Sequence, residues 1–474
     1  MSKQAASLRA MRLGYYRRAL MSAVTITSGA IRHGAPVLAV APDRDFGNIV
    51  DKGAQREERA CGGGEAAAAL ARARAAGSRI HIAGSCHSSA GQTLTAQGIR
   101  LRLEPDPAEP ARWLDESQLD LPAGLRWRDA EAFANERGRT IPVLTDNLDT
   151  RVGGTLSVGG IGTRSILHGR QLDWVAGLDL ILPDGSLCHC SPTHEPDLFR
   201  SALGGLGQLG LIDRAVIETV PYRPATASFK YQLPSLQDGA RLVAEAIDEA
   251  PLPQHLEIVG PQIGSRYIHL RIGYECEDEA AAGRLLASPP VWPGITAELR
   301  QRRVESTRRF TTVNVQHVQH YIASLRGAAH LWNDWFFTEP AAYLGFVAFL
   351  ERKLLPQVGT QDLVAGLILR LARRPGRPHH PLSYAEGGSG PVLHIGLYYS
   401  VAAGQGQRCL TVAAGLGEAQ AAARDLGGRL YLHGWHRYAA ADWAREFGAD
   451  YQAMLAMKRK LDPDFLLNSD ILLP

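Results

Sequence analysis

The chain has 474 residues, of which 45% are hydrophobic and 21% charged, with 51 basic and 48 acidic side chains and a net charge of +3. This composition excludes a disordered chain and a bundle of membrane helices, and the near balance of charge gives no field that would gather nucleic acid. Two domains are expected, because a single core stops growing at about 250–300 residues.

Residues 1–40 are predicted to form a leader. Arg17-Arg18 precedes the apolar-leaning run Ala19 to Ile31, and Ala39-Val40-Ala41 is similar to a cleavage site, so the segment resembles a weak twin-arginine signal. Arg32 and His33 interrupt the run, and no segment has the roughly 18 apolar residues of a membrane span. We predict an amphipathic leader of a cytoplasmic protein, with export through a twin-arginine signal as the alternative.

A strand that ends in a loop of small residues follows. A helix is predicted over Glu65 to Ala76 and a strand over Arg79 to Ala83, and the strand runs directly into Gly84-Ser85-Cys86-His87-Ser88-Ser89-Ala90-Gly91-Gln92. Small residues leave backbone N–H groups accessible to a pyrophosphate. His87 is either an ordinary surface residue or a nucleophile placed to attach a flavin covalently.

A second glycine-rich segment is predicted to lie beside the first. After a strand over Ile99 to Leu103 and a helix over Arg128 to Arg137, the stretch Ile141 to Asp149 leads into the loop from Gly153 to Gly162. Two such loops in one half of the chain predict one ligand site between them.

The next elements favour a tight connection over a dinucleotide fingerprint. Strands are predicted over Gly177 to Leu182, Leu187 to Cys190 and Leu211 to Val220, with a helix over Glu195 to Leu203. Gly205-x-Gly207-x-x-Gly210 therefore follows a helix and precedes a strand, the reverse of the order that holds a pyrophosphate. No metal site is expected at Cys188-His189-Cys190, since strand alternation puts His189 on the opposite face.

The chain from 225 to 425 mixes predicted helices with alternating strands and is richer in aromatic residues, as suits a substrate-facing region. The predicted helices are Leu236 to Glu249, Tyr343 to Leu355 and Gly417 to Leu426, the strands include Tyr267 to Tyr274 and Val392 to Ser400, and the aromatic residues include Trp332, Trp335, Phe336 and Phe337. A last helix is predicted over Trp443 to Leu461.

The loop around His87 resembles the R-G-x-G-H-S-x-x-x-Q loop of the cytokinin dehydrogenases and their FAD-linked relatives in the vanillyl-alcohol oxidase superfamily. Further stretches are similar to family motifs in the same order: Asp45-Phe46-Gly47-Asn48-Ile49, Leu144-Thr145-Asp146 with Gly153-Gly154-Thr155-Leu156-Ser157, Asp197 to Ile212, Asp442-Trp443 with Phe447-Gly448, and Lys458 to Leu467.

This resemblance implies an α+β, two-domain, PCMH-type FAD-binding fold with an inserted mixed α/β substrate domain. The implied boundaries are an FAD-binding domain over 41–222, a substrate domain over 223–425 and a C-terminal segment over 426–474 that completes the first domain.

The resemblance also implies FAD, with His87 at the position of covalent attachment. The implied cofactor contacts surround the glycine loops: Gly84, Ser85, Cys86, Ser88, Gln92, Asp146, Ser157, Ile161, Ile212 and Asn468. Asp146 falls on the family's catalytic aspartate, although it could instead be a turn former, and Glu257 lies where the family often has a substrate-mouth glutamate.

Four departures from the family pattern stand out. Cys86 replaces a glycine, Ala83 replaces an arginine, and Leu467-Asn468-Ser469-Asp470 replaces S-P-G-Q, while Asn147 stands where an aromatic residue is common.

The expected reaction is oxidation of an amine C–N bond, cytokinin-like, by hydride transfer to flavin N5 with Asp146 as base, and oxygen or a quinone as the electron acceptor. The alternatives are oxidation of an alcohol or a secondary-metabolite hydroxyl on the same fold, and a non-catalytic flavin-binding relative.

Overall fold

The computed structural model describes residues 44–261, 266–311, 327–384 and 390–472. The predicted leader over residues 1–40 lies outside them. Helices and strands are mixed along the described ranges, and no helix in them is long and apolar enough to cross a membrane.

Two sheets in the first half share one hydrophobic core. The strands are β1 (Arg56–Cys61), β2 (Ile80–Ala83), β3 (Ile99–Glu104), β4 (Arg112–Trp113), β5 (Gln118–Pro122), β6 (Arg139–Thr140), β7 (Val175–Ile181), β8 (Leu187–Cys190), β9 (Leu211–Glu218) and β10 (Val220–Pro221). A parallel sheet has the order β1-β3-β2, an antiparallel sheet has the order β4-β5-β9-β7-β8, and β6 pairs with β10. The strands predicted in this half are confirmed within a few residues at their ends.

The helices of this half cover the same core. They are α1 (Gly62–Ala75), α2 (Trp127–Asn135), α3 (Val152–Leu156), α4 (Ser165–His168) and α5 (Pro196–Ala202). Because α5 precedes the glycines at 204–210 and β9 follows them, the predicted helix-to-strand connection is confirmed.

The sequence predicted a loop over the whole of the second glycine segment, but the first part of that segment is helical. Residues 152–156 form the helical turn α3, although glycine disfavours helix, because tertiary contacts hold them. Gly153 N donates to Ala123 O at 2.9 Å, and Trp127 Nε1 donates to Thr155 Oγ1 at 2.6 Å. Only residues 157–163 follow as an irregular segment.

An eight-stranded antiparallel sheet with the order β14-β11-β13-β12-β16-β17-β15-β18 dominates the second half. Its strands are β11 (Ala225–Leu233), β12 (His255–Val259), β13 (Ile268–Cys276), β14 (Glu298–Ser306), β15 (Ala329–Phe337), β16 (Leu363–Leu371), β17 (Val392–Val401) and β18 (Arg429–Leu430). The central strand β16 is buried along its whole length, which agrees with its continuous apolar sequence.

One face of this sheet packs on helices. They are α6 (Leu236–Arg241), α7 (Glu279–Leu286), α8 (Pro340–Phe349), α9 (Leu355–Val358) and α10 (Gly406–Asp425). The last two helices, α11 (Ala440–Leu461) and α12 (Ser469–Leu472), pack instead on the core of the first half. The helix predicted over 236–249 is α-helical only to Arg241 and then continues as π and 3-10 turns. The helix predicted over 443–461 is interrupted at Gly448, whose φ is +50°.

The opposite face of the sheet meets the second glycine segment. Ile161 is buried with Phe336 and Leu367 of the sheet and with Tyr384, whose hydroxyl donates to Gly159 O at 2.9 Å. This face therefore lies against the segment that the sequence placed at the cofactor.

Asn468 joins the C-terminal segment to two separate parts of the first core. Its Oδ1 accepts from Ile82 N at 2.8 Å, and its Nδ2 donates to Gly207 O at 2.8 Å and Leu206 O at 3.3 Å. The residue is buried and has a φ of +45°.

We expect Asn468→Gly to lower the free energy of unfolding by about 3 kcal/mol, because it leaves one buried and two partly buried backbone groups without their partner while tolerating the positive φ. The measurement is denaturant unfolding without added FAD. Glu195→Gly is the matched control, since Glu195 is exposed, has a φ of +47° and makes no side-chain cap. Equal stability of Asn468→Gly and wild type would contradict this prediction.

Candidate active site

A turn at residues 45–48 joins the first glycine loop to strand β15. Phe46 N donates to Cys86 O at 2.9 Å, and on the other side Gly47 O accepts from His330 N at 2.8 Å. A side chain at position 47 would place its Cβ 2.3 Å from Ser89 O, so only glycine fits between the first glycine loop and strand β15. The turn thus holds the loop at a fixed distance from the sheet.

His87 is half-buried against aromatic side chains. Its ring centroid lies 4.3 Å from that of Phe46 and 6.1 Å from that of Trp332. Burial, with smaller contributions from His433 and His330, lowers the pKa of His87 to about 3. The imidazole is therefore neutral at physiological pH, the form in which its ring nitrogen is nucleophilic.

Cys86 occupies a backbone conformation that favours glycine. Its φ is +55° and its side chain is buried. Arg102 Nη2 donates to Cys86 Sγ at 3.4 Å, and Arg102 lies directly opposite Ala83 in the β2–β3 ladder. A guanidinium on the neighbouring strand therefore stands beside the loop, although position 83 is alanine where the resembled motif has arginine.

The two predicted glycine segments meet, as expected from the sequence. A Cβ built at Gly84 would lie 3.7 Å from Gly154 Cα, so the backbones approach closely. The hydroxyls of Ser88 and Ser89 are buried and have no hydrogen-bond partner among the described residues. Close backbone approach together with unpaired hydroxyls fits a cofactor pyrophosphate.

The remaining predicted cofactor residues have partners within the protein. Ser85 Oγ donates to Asp149 O at 3.0 Å, Ser157 Oγ to Gly153 O at 2.7 Å and Gln92 Nε2 to Leu432 O at 2.9 Å. Ile212 is buried in the core of the first half, opposite Leu180 in the ladder, and the amide of Asn468 binds the backbone groups described above.

Asp146 and Glu257, far apart in the sequence, are brought together. The Asp146 side chain is exposed to solvent, although many protein atoms surround it. The pKa of Asp146 is raised to about 7, chiefly by burial and then by the charge of Glu257. Arg271 opposes the rise, and the charge of Asp334 adds a smaller increase. Arg271 Nη1 lies 3.2 Å from Glu257 Oε1, so Glu257 has a cation of its own.

Asp334 is a site residue that the sequence analysis missed. Its Oδ1 accepts from Tyr398 Oη at 2.6 Å and from His394 Nε2 at 2.8 Å. Burial opposes its ionisation, but the hydrogen bonds from His394 and Tyr398 and the electrostatic influence of His394 and His433 together outweigh burial and hold the pKa of Asp334 below its usual value. The available signal was a carboxylate inside the otherwise aromatic strand β15.

Aromatic rings connect this carboxylate to the loop of His87. The Trp332 and Tyr398 centroids are 4.7 Å apart, and Trp332 also packs at 4.7 Å on Phe46. The first glycine loop, the turn at 45–48 and the face of the sheet therefore form one continuous wall.

Comparisons with known proteins agree with the motifs. Residues 64–191 match the FAD binding domain family. An uncharacterised oxidoreductase from the fasciation locus of Rhodococcoides fascians is 26% identical over 401 residues, which cover 81% of this chain and 85% of that protein. Cytokinin dehydrogenase 4 of Arabidopsis thaliana is 34% identical over 199 residues, 38% of each chain. Cytokinin dehydrogenase 5 of Oryza sativa subsp. japonica is 35% identical over 195 residues, 38% of this chain and 36% of that protein.

These similarities confirm an FAD-binding domain and a sequence similar to cytokinin dehydrogenases. The match spans less than two fifths of those two dehydrogenases.

We expect Cys86→Gly to retain or increase FAD content, because glycine relieves a left-handed conformation that costs an L-residue about 1–2 kcal/mol. The measurement is the flavin-to-protein absorbance ratio after purification, with the melting temperature of the same samples. Cys190→Gly is the control, since Cys190 is buried in a regular strand and its loss should only destabilise. Lower FAD content in Cys86→Gly would show that the thiol beside Arg102 has a role of its own.

Proposed function

We propose that this chain, an FAD-dependent oxidoreductase similar in sequence to cytokinin dehydrogenases, oxidises the C–N bond of an amine with Asp146 as the general base. The observation that carries the proposal is the pKa of Asp146, raised by burial to about 7. A base is most effective when its pKa lies near the working pH, and an ordinary aspartate, with a pKa of about 4, does not meet that condition.

The FAD would be held by the two glycine segments. Backbone at Gly84 and Gly154 and the hydroxyls of Ser88 and Ser157 suit its pyrophosphate, with Arg102 as a nearby positive charge. Gln92, Ile161, Ile212 and Asn468 complete the proposed set of cofactor residues, together with Ser85, Cys86 and Asp146. When bound, FAD supplies a hydride acceptor at N5.

Asp146 would accept the proton of the substrate nitrogen while the neighbouring carbon gives up hydride. Glu257 favours the protonated form of Asp146 through its charge, and the ion pair of Glu257 with Arg271 fixes that charge in place. Glu257 is thus proposed to orient the substrate and to tune the base.

We expect Asp146→Asn to slow flavin reduction by substrate at least about a hundredfold, because general-base assistance contributes about 10²- to 10⁴-fold. Anaerobic stopped flow measures the rate. In wild type the rate should rise as pH increases through about 7, where Asp146 loses its proton, and this rise should be absent in the variant.

The control is Asp197→Asn. The carboxylate of Asp197 is 73% exposed on α5, so its replacement should leave the rate of flavin reduction unchanged.

Because its pKa is raised on folding, Asp146 contributes stability below pH 4 that is lost as pH rises through 7. Asp146→Asn should therefore melt at the wild-type temperature or above it at pH 8. An unchanged rate of flavin reduction in Asp146→Asn would show that another group is the base, and Glu257 would be the next candidate. A large drop in the melting temperature of this variant would instead favour a turn-forming role for Asp146.

We further propose that FAD is attached covalently through the neutral imidazole of His87. Denatured wild-type protein should carry the mass of FAD, and His87→Ala should lack that mass while still holding FAD by non-covalent contacts. Intact-mass spectrometry measures the adduct. His433→Ala is the control, since His433 neighbours His87 without being the attachment residue. An adduct that persists in His87→Ala would contradict the attachment.

A substrate panel separates the amine proposal from its alternatives. Bleaching of the flavin spectrum by amines supports it, and bleaching by alcohols alone favours a hydroxyl substrate. No bleaching by any member would favour a non-catalytic flavin-binding protein.

A further inference from the structure

One face of the parallel sheet β1-β3-β2 is polar and lies under the first glycine loop. Arg100 is opposite Glu57 in one ladder and opposite His81 in the other, so the three side chains share this face. The loop covers them, since Gln92 O lies 3.4 Å from His81 Nδ1. His81 and Arg100 are each 0% exposed. The loop therefore rests on buried polar groups rather than on an apolar core.

Arg102 follows Arg100 on the same face and reaches the loop itself. Its Nη2 donates to Cys86 Sγ at 3.4 Å, and its side chain is 22% exposed. Its Nε is buried and has no hydrogen-bond partner among the described residues, and the same is true of Nε and Nη1 of Arg100. Buried guanidinium donors without acceptors indicate that an acceptor from outside the chain belongs here.

In the described part of the chain, both guanidinium groups pair with a single carboxylate. Glu57 Oε2 lies 2.5 Å from Arg100 Nη2 and 3.3 Å from Arg102 Nη2. Arg59, which is 65% exposed, lies 3.2 Å from Glu57 Oε1. Three cations on one carboxylate leave positive charge in excess, and a buried charge is costly unless it is paired.

The wider surroundings of the loop keep this excess. Residues 84–98 include no aspartate, glutamate, lysine or arginine. His81 and His87 are neutral at physiological pH, since burial lowers the pKa of each. The charged residues that lie on this face or bond to the loop, taken with their ion-pair partners, are the cations Lys52, Arg59, Arg79, Arg100, Arg102, Arg126, Arg128 and Arg151 and the acidic residues Asp45, Glu57, Glu104, Asp149 and Asp470.

We infer that Arg102 pairs with the pyrophosphate of FAD and supplies, from strand β3, the positive charge that the resembled motif carries at position 83. Ala83 and Arg102 are opposite each other, so a cation at either position lies under the same part of the loop. Pyrophosphate oxygens accept charge-assisted hydrogen bonds from guanidinium groups. The inference rests on the proposed location of FAD at the two glycine segments and adds the residue that anchors its charged part.

The test measures how fast FAD leaves the full-length protein. All variants carry His87→Ala, so that FAD is held by non-covalent contacts alone. Each FAD-loaded protein is diluted, and the rise in fluorescence of the released flavin gives the rate. Arg102→Gln should release FAD at least about tenfold faster than the His87→Ala parent, because it loses a charge-assisted bond to phosphate.

Two variants separate the charge from the fold. Arg102→Lys keeps the charge and should release FAD more slowly than Arg102→Gln does. Arg59→Gln is the matched control, because Arg59 is opposite Arg102 in the β1–β3 ladder and also pairs with Glu57, but is exposed. It should release FAD within about threefold of the parent rate, since solvent screens an exposed charge.

Salt gives a readout that a purely structural role would not change. Raising potassium chloride to about 0.5 M should speed FAD release from the parent more than from Arg102→Gln, because screening weakens a bond between charges. A parent rate that does not rise with salt would overturn the inference whether or not the variants fold. An Arg102→Gln rate equal to that of the parent, or of Arg102→Lys, would overturn it as well.

Benzylamine, added to the same FAD-loaded parent, reports separately on the proposed oxidation. If Arg102→Gln speeds FAD release but benzylamine leaves the flavin oxidised, the amine oxidation fails while the role of Arg102 stands. If benzylamine bleaches the flavin and Arg102→Gln releases FAD at the parent rate, the amine oxidation stands and the role of Arg102 fails.

Discussion

The arrangement of the site depends on the backbone hydrogen bonds of residues 45–48. They hold the loop of His87 on one side and strand β15 on the other, and no side chain at position 47 could be accommodated between them. Backbone bonds in a closely packed turn set distances more rigidly than surface side chains do. The separation of His87 from Trp332, and through Trp332 from Asp334, follows from this turn.

The carboxyl groups of Asp146 and Asp334 have opposite electrostatic character because their partners differ. Asp146 meets burial and two like charges, so its pKa rises, whereas Asp334 accepts bonds from His394 and Tyr398, so its pKa falls. Environments that move the pKa values of neighbouring carboxyl groups apart leave one group able to exchange a proton near neutral pH and favour the ionised form of the other. The functional assignment rests on this contrast more than on the residue types.

The sequence predicted the cofactor side of the site well and the substrate side poorly, for a physical reason. The two glycine loops, and the histidine within the first of them, are local features of the sequence. Gly84, His87 and Gly154 could therefore be recognised without knowing the fold. Asp334 and Tyr398 meet only through the register of β15 and β17, which no local pattern fixes. The role of Arg102 depends in the same way on its position opposite Ala83.

Gly396 has a consequence for how such a site can change over time. A Cβ at 396 would lie 2.3 Å from Asp334 Oδ1 and 2.9 Å from Tyr398 Oη, so a lineage that loses the carboxylate acquires a side chain at 396 only once the Tyr398 ring has also shifted. After that second step the carboxylate cannot return by a single substitution. The order in which these two positions mutate therefore gives the evolution of this pocket a direction, from charged to neutral more readily than the reverse.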